Sequence, residues 1–174
     1  MKKMVTFLLI LAILSTLAFG AWATVRIIKA VSFNLNCEQY LKRAADANTV
    51  ELAKKELEKA ISYAEEHGLT DGVVSIFLNQ PSNDLGFWYQ NLVVSLEELE
   101  NLPEDASALE KTNVLMKLRE TLGDQGESEF EITIPSGISI YPDNVAYFWW
   151  AIISIILAVF FWIAWGVAYE KTYW

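Results

Sequence analysis

Two uncharged apolar runs, Met4–Val25 and Val145–Tyr169, bracket a stretch crowded with charged residues. At about 1.5 Å per residue the runs reach roughly 33 and 37 Å as helices, enough for a bilayer core of about 30 Å. The expected fold class is therefore a mainly α membrane protein. Two transmembrane helices flank an extramembrane antiparallel bundle of about four helices with a small β element. The expected division is an N-terminal signal anchor or signal peptide over 1–30, an acidic extracytoplasmic helical domain over 31–144, a transmembrane helix over 145–169, and a short cytoplasmic tail over 170–174.

Lys2 and Lys3 followed by the Val5–Leu11 run resemble the basic and apolar regions of a secretory signal, and Ala21-Trp22-Ala23 offers an A-x-A site. The uncharged run exceeds the 7 to 15 residues usual in such signals, and bulky Trp22 lies inside the site. Retention as an anchor is the favoured reading; cleavage would leave a single-pass protein. Ala12, Thr16, Gly20 and Thr24 recur every four residues, with a shorter counterpart in Ser154 and Ala158. Small residues at this spacing let helices approach closely, so the stripe is expected to pack on the second span or on another subunit.

The second run carries Trp149 and Trp150 near its start and Trp162, Trp165 and Tyr169 near its end. These clusters match two membrane-interface belts. Orientation rests on short flanks: Lys2, Lys3 and Lys171 favour both termini in the cytoplasm and residues 31–144 outside it, against the opposing pull of Arg26 and Lys29.

Between Val31 and Asn144 there are 21 acidic and 8 basic residues, a net charge of −13. Such a surface repels phosphate backbones, which argues against nucleic acid and leaves the lipid bilayer, a protein partner or a second copy through the membrane helices as expected partners. Cys37 is the sole cysteine, so no intramolecular disulfide forms. The domain must be held by its core.

The apolar spacing in this domain is mainly helical. A first helix continues out of the membrane through Leu35, Tyr40, Leu41 and Ala44. Asn48 begins a second as an N-cap, whose buried face is expected to include Leu52, Ala53, Leu57, Ala60, Ile61 and Ala64, and Gly68 stops it. Residues 73–78 read as a strand or a buried helical turn. Asp84 caps a third helix, and Pro103 leads into a fourth containing Leu109, Val114, Leu115, Leu118 and Leu122. Phe130, Ile132 and Ile134 alternate with Glu129, Glu131 and Thr133, which predicts a half-buried strand pairing with 73–78.

No catalytic, cofactor or metal motif stands out. His67 has Ala64 at the place where a bundle carboxylate site needs Glu, and one cysteine with one histidine cannot build a structural zinc site. Gly-x-Ser-x-Gly and phosphate loops are absent. The remaining cluster is Gly86-Phe87-Trp88-Tyr89-Gln90-Asn91, where Phe87, Trp88 and Tyr89 are the candidate ligand or partner contacts. The competing expectation is that Phe87 and Trp88 enter the core beside Leu92 and Leu96. The sequence thus points to a non-enzymatic, membrane-anchored interaction or accessory subunit without cofactors. A ligand-sensing module signalling through a partner is the alternative, and a membrane-bound enzyme the remote one.

Overall fold

The structure is a computed structural model describing residues 1–125 and 130–173, with the backbone alone at Asp124 and Gln125. The chain is mainly helical and forms two compact units, one of Met1–Lys29 with the chain from Asp143 onward, the other of Ala30–Pro142.

The first unit holds most of α1 (Lys2–Phe33) and α6 (Asn144–Tyr173). Both helices are long and apolar enough to cross a membrane, and only 17% and 11% of their most apolar windows are buried. A core helix of a water-soluble protein would hide that surface. The two helices are joined by tryptophans. Trp22 Nε1 donates to the Tyr147 carbonyl at 2.9 Å, Trp150 Nε1 to the Ala18 carbonyl at 3.1 Å, and Trp162 Nε1 to the Thr16 hydroxyl at 3.1 Å. Trp150 and Trp162 thus direct their indole N–H groups at α1. Trp149 is exposed, as is much of Tyr169, which stacks obliquely on Trp165. Between the two helices Lys29 lies 4.0 Å from the Asp143 carboxylate and 5.2 Å from the centre of the Tyr147 ring.

The small-residue stripe divides. Ala12 is fully buried and Thr16 takes the Trp162 bond, whereas Thr24 is exposed and a Cβ added to Gly20 would meet nothing within 4 Å. On α6 Ser154 is buried, its hydroxyl donating to the Trp150 carbonyl at 2.7 Å, and Ala158 is half-buried.

Helix α1 runs without a break through a π-helical turn (Asn34–Glu38) into α2 (Gln39–Ala45), so the helix expected through Leu35, Tyr40, Leu41 and Ala44 is present. Helix α3 (Val50–Glu66) begins at Thr49, whose hydroxyl accepts the Leu52 N–H at 3.3 Å; the cap is Thr49, not Asn48. Its buried face holds Ala53, Leu57, Ala60, Ile61 and Ala64, but Leu52 is 48% exposed and Glu56 takes the inward position. The Glu56 carboxylate is neutralised by Arg43 Nε and Lys59 Nζ, each at 3.1 Å, which makes its burial tolerable. Gly68 stops α3 with φ at 67°, a left-handed conformation that suits glycine.

Residues 73–78 form neither strand nor helix. Val74 is buried, Val73 makes one isolated bridge to Asp84, and Phe77 and Leu78 are exposed. The loop closes through Leu85 N–H to the Gly72 carbonyl and Val74 N–H to the Asn83 carbonyl, then a single 3-10 turn (Pro81–Asn83) leads into α4 (Leu85–Glu100). Helix α5 (Ala108–Leu122) starts later than Pro103 because Ser107 and Glu110 form a capping box. Leu109, expected inside, is exposed; Leu118 and Leu122 are buried. The strand β2 (Phe130–Ile132) pairs antiparallel with β1 (Gly123–Gln125), not with 73–78. Glu129, part of the alternating pattern read from sequence, lies outside the described residues.

Leu41, Leu57, Leu85, Leu92 and Cys37 are the largest fully buried side chains of the second unit. Helix α3 contacts both α2 and α4, and α5 contacts α2 and α4.

Candidate functional site

A cavity of about 380 Å³ opens within the Ala30–Pro142 unit, where five separate stretches of chain converge. The turn before α4 supplies Pro81, Ser82 and Asp84. One face of α4 supplies Phe87, Trp88, Asn91 and Leu92. Leu41 comes from α2, Thr121 and Leu122 from the end of α5, and Thr133, Ile134 and Pro135 from the chain after β2.

Local sequence explains how each wall is held. The Asp84 carboxylate accepts the Phe87 N–H at 2.9 Å as the N-cap of α4, which fixes both the helix start and the carboxylate. Positions 84, 87, 88 and 91 fall on one helical face, so the cap, both aromatics and the amide share the cavity. The opposite wall is pinned by Thr133 N–H donating to the Leu122 carbonyl at 2.9 Å.

Of the three aromatic residues marked from sequence, two line this cavity and one does not. Trp88 is buried with Leu92, while Phe87 is 63% exposed instead of entering the core. Tyr89 turns elsewhere, its hydroxyl donating to Glu65 Oε1 at 2.6 Å. That hydrogen bond, helped by desolvation and the Glu65 charge, pushes the Tyr89 phenol up to about 12. Asn91 belonged to the cluster singled out from sequence, whereas Asp84 was read only as a helix cap and missed as a site residue, although its helical spacing from Phe87 was a usable signal. Ser82, Thr121 and Thr133 carried no such signal.

Among the described residues the lining is mostly apolar, with one charged side chain, Asp84. The Asn91 amide and the second Asp84 oxygen have no hydrogen-bond partner among the described residues. An added Cβ at Gly86 would meet Asp71 Oδ1 at 3.2 Å and Asp84 Oδ1 at 3.3 Å, so two carboxylates flank this glycine. His67 stacks on Tyr63 with ring centres 3.9 Å apart and does not line the cavity. Among the described residues, no three His, Cys, Asp or Glu side chains are grouped to hold a metal ion. Compared with protein families, curated proteins and solved structures, the chain matches none.

Proposed function

We propose that the protein is a non-enzymatic, membrane-anchored accessory subunit. In this reading both spans cross the bilayer, the termini are cytoplasmic, and residues 31–144 form an antiparallel four-helix bundle with a small β element outside the cytoplasm. The observation that carries it is how the extramembrane unit uses its reactive groups. Glu56, Glu98, Glu100 and Asp46 pair with basic side chains, Glu65 holds Tyr89, Glu110 caps α5, and Cys37 is buried. These groups are committed to structure, and among the described residues neither a His nor a Cys lines the cavity. Mild crosslinking in native membranes followed by detergent purification is expected to recover a stoichiometric complex with a partner or a second copy. Recovery of monomer alone would overturn the reading.

The cavity itself favours a second reading, a ligand-sensing module that signals through a partner. Its volume lies in the range of small-molecule sites. A ligand of this kind raises the melting temperature by mass action, and a broad screen without a saturable stabiliser would remove it.

A further inference from the structure

We propose that the cavity beneath Phe87 and Trp88 binds a small apolar molecule bearing a single ammonium group. The inference rests on the ligand-binding reading of that cavity and adds the charge class of the ligand.

The walls set the body of the ligand. Leu41, Leu92, Leu122, Ile134 and Pro135 offer apolar surface, and about 380 Å³ suits a molecule of one ring or a short branched chain. The charge of the site sets the head. Among the described residues Asp84 is the one charged residue of the lining, and none of the described Lys, Arg or His residues lines the cavity. The nearest cation along α5, Arg119, is engaged elsewhere, over the Phe130 ring at 4.7 Å and 3.7 Å from the Asp46 carboxylate. A carboxylate or phosphate ligand would therefore face Asp84 with no compensating charge, and Asp71 beyond Gly86 adds to the repulsion.

An ammonium group meets the opposite situation. One Asp84 oxygen is held by the Phe87 N–H, so the carboxylate is oriented before a ligand arrives, and its other oxygen accepts a charge-assisted bond. Phe87 and Trp88 bring aromatic rings, whose faces attract cations. Asn91, one helical turn beyond, supplies an amide for a further polar group on the ligand.

The test uses the full-length protein in detergent micelles, titrated calorimetrically with three isosteric probes: 2-phenylethylammonium, propylbenzene and 3-phenylpropionate, each corrected against empty micelles. The ammonium probe is expected to bind one saturable site at least tenfold more tightly than propylbenzene, with no binding of the carboxylate. Asp84→Asn keeps the helix cap, because Asn caps as well as Asp. It is expected to abolish the tenfold preference and leave propylbenzene unaffected, while Phe87→Ala weakens both. A preference that survives Asp84→Asn, or a carboxylate that binds as well as the ammonium, would overturn the proposal. Equal binding of the ammonium and neutral probes would overturn the cationic assignment and leave the ligand-binding reading in place. Failure of all three on a cooperatively melting protein would overturn both.

Discussion

Gly72 shows how one residue without a side chain can govern a loop. Its φ of 102° is a conformation that L side chains rarely adopt, and an added Cβ would run into the Tyr141 hydroxyl. That hydroxyl donates to the Asp71 carbonyl at 3.0 Å, so the chain after β2 is tied to the loop before α4. Gly72→Ala is expected to destabilise by about 1–3 kcal/mol and Tyr141→Phe by about 1 kcal/mol, measured as shifts in urea midpoint. Tyr89 gives a residue-scale pH effect. Its phenol is raised in the folded state, so its contribution to stability is complete below the unfolded value of about 10 and is lost as pH rises through about 12. The stability difference between the native protein and Tyr89→Phe should accordingly shrink over that window. The tyrosinate absorbance should also lose a component titrating near 12.

Helix α3 is where element-scale reading succeeds and fails within a few residues. Leu57 and Leu52 both belong to the apolar arc read from sequence, yet Leu57 is fully buried and Leu52 is exposed. Leu57→Ala is expected to cost about 2–5 kcal/mol, and Leu52→Ala about 0.5 kcal/mol or less, in chemical denaturation. Periodicity gives the width of an apolar face but not its edges, and a pair of cations from Arg43 and Lys59 decided that Glu56 would be inside. The two long apolar helices, the Asp84 cap and the Gly68 stop were legible because each depends on neighbours in sequence. The partner of β2 was not, since Gly123–Gln125 carries no alternating apolar pattern and the apolar run at 73–78 competed for the assignment. The cavity was legible only along α4; its other walls come from four further stretches that meet through tertiary packing.

For the whole molecule, the division at Lys29 and Pro142 assigns a separate core to the charged part of the chain. Residues 30–142 expressed alone are expected to be helical by circular dichroism and to melt cooperatively in aqueous buffer; a non-cooperative melt would show that the core needs the flanking helices. The intact chain, with most of its longest apolar windows uncovered, is expected to partition into detergent or lipid. The solitary thiol offers a practical route to the orientation of the chain. Cys37 is fully buried, and burial pushes its thiol up to about 12, so it stays silent toward alkylating reagents at neutral pH. A cysteine placed at an exposed position such as Leu109 then gives a single reporter against a dark native background, without removing a residue that the core needs. Its labelling by an impermeant maleimide on intact cells would show on which side of the membrane the acidic unit resides.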